Sequence, residues 1–294
     1  MGKDALIFLS DQYGSRYQFS YALNTDLATG FLMENEYLPA EKIQGIWNRK
    51  YAAPYSFQAT MSQENAPWLR EAHLLLFGFL NATDIFCLDR LEDAINAENK
   101  LLQLKLAKEA GMAIPPTLFS NQPEDIFRFL EIHQDQVVAK MQGVLTWSME
   151  GSTDFFYTKK ISRADLQQSN ILSVYPLIYQ KLIEKEYELR VIYVDGQCFC
   201  GKIPSLSPEI VDWRQPGVSF SWEKSQLPAE ICSKLQVLMD RLHLKFGAID
   251  IIKSVDGQYY FLEVNPTGEW GMLQRDVDLP IAENLAKTLV KYGT

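Results

Sequence analysis

Toward its C-terminal end the chain reads Phe246-Gly247-Ala248-Ile249-Asp250-Ile251-Ile252, then Ser254-Val255-Asp256-Gly257-Gln258, then Tyr259-Tyr260-Phe261-Leu262-Glu263-Val264-Asn265-Pro266. An Asp-Gly pair between two apolar, β-rich runs is a strong hairpin signal, because a type I′ turn needs positive φ at both central residues. With Asp256 and Gly257 as the two loop residues, Asp250 falls directly opposite Glu263. Side chains repeat every two residues along a strand, so Asn265 shares the face of Glu263. Two carboxylates and an amide oxygen then converge between apolar neighbours. Like charges at cross-strand distance repel. A hard divalent cation relieves that repulsion, and Mg²⁺ takes one or two carboxylates with phosphate oxygens and water. The competing reading is the solvent side of an amphipathic hairpin. It fits poorly with Asp250 and Glu263 standing inside apolar runs.

The composition bounds what such a site can serve. The chain has 294 residues, 47% hydrophobic and 12% aromatic, enough for a large core or two to three smaller lobes. The formal charge is −9, and no Lys/Arg run is long enough to neutralise a phosphate track, so nucleic acid is not an expected partner. Four cysteines lack a C-x-x-C pair and three histidines are scattered, which argues against zinc and for reduced thiols. No basic-plus-apolar signal pattern opens the chain, and Leu74–Leu80 is far too short to span a membrane. A cytoplasmic protein with no membrane partner is expected; a homodimer is left open.

Ahead of the hairpin, Ala5–Ser10 reads as a buried parallel strand, Ile43–Arg49 and Ile85–Leu88 as two more, and Pro67–Leu80 as a helix burying Leu69, Ala72, Leu76 and Phe79. This predicts a small α/β lobe over 1–98. Glu98–Ala110 is rich in helix formers and stops at Gly111; Ile114-Pro115-Pro116-Thr117 leads into a strand, and Pro123 opens a helix with Ile126, Phe129 and Leu130 inward. Val137-Val138-Ala139-Lys140, Phe155–Thr158, Tyr175–Ile183, Leu189–Val194 and Gln197–Ile203 read as strands, with Asp195-Gly196 a second hairpin turn. Ala229–Leu244 and Ile281–Tyr292 read as helices. Ser205–Lys224 reads as a long functional loop.

Asp250 followed by Glu263-Val264-Asn265-Pro266 resembles the metal-binding end of ATP-grasp ligases of the RimK-like superfamily, and upstream motifs extend the resemblance. The fold it implies is α/β: a pre-ATP-grasp lobe over 1–98 for substrate or leader handling, a central lid lobe over 99–178, and a C-terminal lobe with the metal site over 179–294. ATP and Mg²⁺ are the implied cofactors, with Asp250, Glu263 and Asn265 as metal ligands. Lys100 and Lys140 match the family's phosphate lysines, Lys140 because it ends an apolar strand before Met141-Gln142-Gly143 and the stretch Trp147–Gly151. Tyr179-Gln180-Lys181-Leu182-Ile183 resembles the adenine hinge, although Gln180-Lys181 stands where relatives commonly carry glutamate. Glu188-Leu189-Arg190 matches an acidic-x-Arg triplet, with Glu188 toward the ribose and Arg190 toward phosphate or acyl group; Lys202 is a further phosphate cation.

Asp212-Trp213-Arg214 looks like the ligases that mature graspetides of the microviridin type, with Arg214 steadying the transferring phosphoryl group. Ile46-Trp47-Asn48-Arg49 and Gln103-Leu104 point the same way. Cys87-Leu88-Asp89-Arg90-Leu91 departs from the Trp-x-Asn-x-Pro usual there. The implied reaction is ATP-dependent ligation through an acyl phosphate, closing Asp or Glu side chains of a ribosomal precursor peptide onto Lys, Ser or Thr. The alternatives are a RimK-like ligase adding amino acids to a protein or small molecule, and an inactive ATP-grasp scaffold that binds a peptide.

Overall fold

Antiparallel pairing builds every sheet but one among the residues described by this computed structural model, namely 4–13, 16–33, 36–50, 66–142, 146–149, 152–155, 158–168, 175–204, 210–214 and 217–293. Two compact units result. One comprises residues up to Ala94 together with those from Glu283 onward; the other is Ile95–Ala282. The sequence expectation is of lobes bounded at 98/99 and 178/179. In the first unit the last helix residues group with the N-terminal elements: Phe86 stacks on Tyr292 at 5.1 Å between ring centroids, and Gly293 lies against the Gln44 carbonyl so closely that no Cβ would fit.

The first unit holds β1 (Tyr17–Ser20), β2 (Gly30–Met33) and β3 (Glu36–Pro39), an antiparallel sheet in sequence order. A short parallel pair follows, β4 (Gly45–Ile46) with β5 (Phe86–Cys87), with α1 (Ala66–Ala82) between them in sequence. Its core is Tyr13, Tyr17, Phe31, Leu76, Phe79, Leu80 and Leu91. Ala72, Leu76 and Phe79 of α1 turn inward as expected; the Leu69 side chain lies outside the described residues. The expected strand Ala5–Ser10 does not form. Leu6 and Ile7 are 65% and 77% exposed, and Ser10–Gln12 is a 3₁₀ turn. A buried parallel strand needs a parallel sheet to join, and here that sheet is two residues deep, while Phe8 alone of the run packs inward, stacked on Tyr17.

After α2 (Leu91–Ala97), the second unit begins with α3 (Lys100–Glu109), capped by Asn99, whose side chain accepts from the N–H groups of Leu101 and Leu102. Gly111 takes φ +82° just past its end, as a helix stop requires. Then come β6 (Thr117–Ser120), α4 (Pro123–Ile132), β7 (Val137–Lys140), the hairpin β8 (Thr146–Met149) and β9 (Ser152–Phe155), β10 (Lys159–Lys160), α5 (Arg163–Gln168) and β11 (Leu177–Lys181). Of the expected strand Phe155–Thr158, Phe155 ends β9 and residues 156–157 lie outside the described residues, as do 143–145, 150 and 151 around the expected lid turn. The sheet order is β10-β7-β11-β6. Ile126 and Leu130 of α4 bury against Val137, Ile161 and Tyr179 on one face. By alternation the other face carries Val138, Lys140, Ile178 and Gln180.

The last sheet runs β14 (Glu223–Ser225), β13 (Gln197–Pro204), β12 (Lys185–Val194), β15 (Phe246–Ser254), β16 (Tyr259–Asn265). Between β14 and β15 lies α6 (Ala229–Arg241); α7 (Gly271–Val277) and α8 (Ile281–Tyr292) close the chain. Met239 of α6 meets the sheet where Gly247 and Val264 lie, on the face also bearing Leu189, Val191, Ile249 and Ile251, all buried. Leu273 of α7 sits against Gly201 on the opposite face, where an added Cβ would collide with it. All four cysteines are unbridged. No helix among the described residues is long and apolar enough to cross a membrane.

The β15–β16 hairpin keeps the expected pair Asp250↔Glu263 by an unexpected route. Asp195-Gly196 is a two-residue turn with φ +43° and +90°, as type I′ demands. Asp256-Gly257 is not. Gly257 has φ +90° but Asp256 is not in the positive-φ region, and the Gly257 N–H bonds to Ser254 O while Ser254 N–H bonds to Gln258 O. The loop is therefore Val255-Asp256-Gly257, a type I turn closed by glycine. The buried Ser254 hydroxyl and the Asp256 carboxylate both accept from the Gln258 N–H and favour this wider loop. The extra loop residue shifts the pairing by one, giving Ile251↔Phe261; a β-bulge at Leu262 then restores Asp250↔Glu263. The bulge also reconciles two neighbours. Phe261 and Glu263 would share a face in a regular strand, yet Phe261 is fully buried beside Ile251 while Glu263 joins Asp250.

Candidate active site

Register places Glu188 and Arg190 of β12, Asp250 of β15, and Glu263 and Asn265 of β16 on one face of the five-stranded sheet. Arg190 donates from NH1 to Asp250 Oδ1 at 2.7 Å and from NH2 to the Glu269 carbonyl at 3.4 Å, and both side chains are largely buried. Lys100, the first residue of α3, reaches Glu263 Oε2 at 2.8 Å and the Met141 carbonyl at 3.3 Å. Arg214 grips Asp212 twice, Nε to Oδ1 at 2.9 Å and NH2 to Oδ2 at 3.0 Å, and its NH1 lies 3.8 Å from Glu263 Oε1. Such bidentate pairs fix the guanidinium plane as well as its position. Lys140 comes to the same cluster from the four-stranded sheet.

The electrostatics follow from this packing. Burial pushes the Lys140 ammonium down to about 8; Glu263 and Asp250 oppose that shift, and Lys100 and Arg214 add to it. Burial alone would raise the Glu263 carboxyl, but Lys100, Lys140 and Arg214 together hold it well below the usual carboxylate range. Glu188 is raised, chiefly by burial, with Lys185 pulling the other way. Five cations (Lys100, Lys140, Lys185, Arg190, Arg214) thus face four carboxylates (Glu188, Asp212, Asp250, Glu263), an arrangement suited to a polyanion.

Several donors fit a nucleotide and a hard metal ion. Asp250 Oδ2 and Glu263 Oε1 make no hydrogen bond among the described residues, and Arg190 Nε is buried without a partner. No group of three His, Cys, Asp or Glu side chains among the described residues is arranged to hold a metal. Two carboxylates and one amide would therefore need phosphate oxygens and water to complete a Mg²⁺ shell, the usual way that ion is held. Asn265 Oδ1 already accepts from the Thr267 N–H at 2.9 Å, in a turn pinned by Gly268: a Cβ there would lie 2.4 Å from Ala248 Cβ and 3.0 Å from Arg190 NH2.

The remaining candidates fare unequally. Gln180 is buried on the Lys140 face and donates to Thr117 Oγ1 at 3.0 Å, while that hydroxyl spends its one proton on the Pro115 carbonyl at 2.7 Å. The chemistry of the relay fixes the Gln180 amide with its oxygen turned away from Thr117. Lys181 has an exposed side chain; its N–H goes to Pro116 O and that of Leu182 to Gln136 O. Lys202 is not brought to the cluster. It pairs with Leu189, hence lies on the other face, where Glu223 holds it at 2.7 Å and Tyr187 underlies it at 5.5 Å. Three supporting residues were not read as site residues from the sequence: Asp212 as the clamp on Arg214, Lys185 beside Glu188, and Gln103. Asp212 was visible in its motif; the other two depend on a bulge and on a contact between residues far apart in the chain.

No family model and no curated protein matches the chain. Solved structures do match, and they define the class as ATP-grasp ligases. The macrocyclase MdnC from Microcystis aeruginosa MRC, solved bound with the precursor peptide MdnA, is 28% identical, with 99% of this chain and 92% of that chain covered and a TM-score of 0.87. A RiPP-associated ATP-grasp ligase of Chryseobacterium gregarium, solved with ADP and a leader and core peptide, is 27% identical, with 97% and 87% covered and a TM-score of 0.85. The macrocyclase MdnB from the same Microcystis is 36% identical, with 96% and 88% covered and a TM-score of 0.77. On that identity and coverage, the chain belongs to the family of RiPP-associated ATP-grasp ligases.

Proposed function

We propose that this chain is a peptide macrocyclase. It would phosphorylate Asp or Glu side chains of a ribosomal precursor peptide with ATP and close each acyl phosphate onto a Lys, Ser or Thr side chain. The four-stranded and five-stranded sheets serve as the two ATP-clamping lobes expected at 99–178 and 179–294, and residues 1–98 handle substrate. The observation that carries the reading is the convergence of Lys100, Lys140 and Arg214 on Glu263, opposite Asp250, in a chain of this family.

Each residue has a role that its surroundings support. Lys100 and Lys140 bind phosphate oxygens, and Lys100 exchanges its contact with Glu263 for contact with the nucleotide. Gln180 offers its amide oxygen to the adenine amino group, and Glu188 accepts from the ribose. Asp250, Glu263 and Asn265 hold Mg²⁺, which when bound neutralises phosphate charge. Arg214, held in plane by Asp212, meets the charge that builds on the transferring phosphoryl group, a contribution that is mainly electrostatic. The attacking amine or hydroxyl displaces phosphate, so each ring removes one water from the peptide.

The test is mass spectrometry of an acidic, Thr- or Lys-rich precursor peptide after incubation with the protein, ATP and Mg²⁺. Loss of one water per ring supports cyclisation. A gain equal to an amino-acid residue would replace it with the RimK-like reading, and no ATP consumption with any peptide would leave a binding scaffold.

A further inference from the structure

Lys185 has no role in the reading above, yet it touches both Glu188 and the backbone that leads into Asp212. Lys185 and Glu188 stand three apart, so in a regular strand they would point to opposite faces. A β-bulge at Glu186, between the pairs Lys185↔Ser254 and Tyr187↔Lys253, reverses the alternation and brings Lys185 onto the face of Glu188 and Arg190. There its Nζ donates to Glu188 Oε1 at 2.5 Å, to the Ile210 carbonyl at 3.1 Å and to the Val211 carbonyl at 3.5 Å. Both side chains are 13% exposed. Ile210 and Val211 lead directly into Asp212, whose carboxylate fixes Arg214. One ammonium therefore ties the β12 carboxylate to the backbone that delivers the guanidinium.

We propose that Lys185 is a positioning residue that couples nucleotide binding to the placement of Arg214. The inference rests on the ATP-grasp reading of Glu188 as the ribose acceptor. A ribose hydroxyl donating to Glu188 fixes the carboxylate, the carboxylate fixes the ammonium, and the ammonium fixes the two carbonyls ahead of Asp212. Nucleotide binding thus orders the turn bearing Arg214 before a peptide carboxylate reacts. By linkage, an ordered turn tightens nucleotide binding by the same factor.

The test is amide hydrogen exchange over residues 210–214 in the full chain, with and without ADP and Mg²⁺, in the unmodified protein and in Lys185→Met. ADP slows exchange there in the unmodified protein. In Lys185→Met, ADP still binds, the protection of 210–214 is lost, and the single-turnover rate falls by about 10- to 100-fold, as expected when a reacting group is misplaced by an ångström. Lys185→Gln keeps a donor for the carbonyls but no charge for Glu188, and gives the same readings if Lys185→Met does not fold. Equal ADP protection of 210–214 in variant and unmodified protein would overturn the coupling. Failure of ADP to bind the unmodified protein would overturn the ligase reading itself, and the coupling with it.

Discussion

Lys140 departs furthest from the ordinary chemistry of its side chain. In the folded chain its ammonium loses its proton at about 8 rather than 10.5. The unfolded chain therefore holds more protons between those values, and stability rises with pH across that window; below it, the buried charge is a standing cost. A bound triphosphate favours the charged form. Nucleotide binding at about pH 8.5 should then take up a fraction of a proton, seen by calorimetry in buffers of different ionisation heat. Lys140→Met should abolish the uptake; uptake that survives would detach Lys140 from the phosphates. Arg214 is the second residue to test. Its guanidinium lies 5.9 Å from the Trp213 ring but is clamped twice by Asp212. Arg214→Ala should slow single turnover by about 2–4 kcal/mol, the scale of one preorganised donor, while ADP affinity changes little. Arg214→Lys should also be impaired, since lysine cannot keep the fork. Full activity in Arg214→Lys would reduce the role to ordering the loop.

At the scale of the element, β16 depends on a side chain from α3. The buried Gln103 accepts from the Val264 N–H at 2.9 Å and donates to the Val264 carbonyl at 2.8 Å and the Ala97 carbonyl at 2.6 Å, so one amide stands in for a neighbouring strand along this edge. Gln103→Leu would leave buried backbone groups unpaired. It should lower stability by about 1–3 kcal/mol in denaturant unfolding. An unchanged midpoint would mean that water or a shifted helix replaces the amide. Most strands of the second unit were legible in the sequence, because their apolar runs end on Asp-Gly, Pro or a lysine. What stayed hidden is phase. Lys202 reads as one more cation until its partner across the ladder is known, and that partner, Leu189, puts it on the far face. The wide turn at Val255–Gly257 was hidden too, because the Asp-Gly pair alone does not fix the loop length; the Ser254 hydroxyl and the Asp256 carboxylate together hold the Gln258 N–H of the wider loop. Ala5–Ser10 misled because an apolar run reports affinity for a core without saying which residues fill it.

Over the whole molecule the formal charge is −9, yet the candidate site gathers an excess of cations, so the global balance says nothing about this pocket's ligand. Buried pairs set how the molecule responds to losing either acid. Asp250→Asn leaves the buried Arg190 uncompensated and should cost about 3–5 kcal/mol of stability besides abolishing turnover. Glu263→Gln removes the ion-pair partner of Lys100 and a nearby negative charge from Lys140, and should abolish turnover at a smaller cost in stability. Full activity in folded Glu263→Gln would remove the metal assignment. ADP with Mg²⁺ at about a hundredfold over its dissociation constant should stabilise the unmodified protein by about 2.7 kcal/mol. The Mg²⁺-dependent part of that gain should vanish in Glu263→Gln. The family was legible because its motifs are short and local; the contacts by which Lys185 and Gln103 join them were not, because the Ile210, Val211 and Val264 carbonyls that they meet lie far along the chain.

The bulge at Leu262 has a bearing on how this strand tolerates lost residues. Removing one residue from a regular strand inverts every side chain beyond the gap. Leu262 is the surplus residue between Phe261↔Ile251 and Glu263↔Asp250, so its removal leaves both pairs intact and each side chain on its present face. In a single-codon deletion scan of Tyr259–Asn265, the deletion at Leu262 should best keep fold and ATP dependence; deletion at Phe261, which brings Leu262 opposite Ile251, should keep the register with a smaller core side chain, and the other deletions should be inactive.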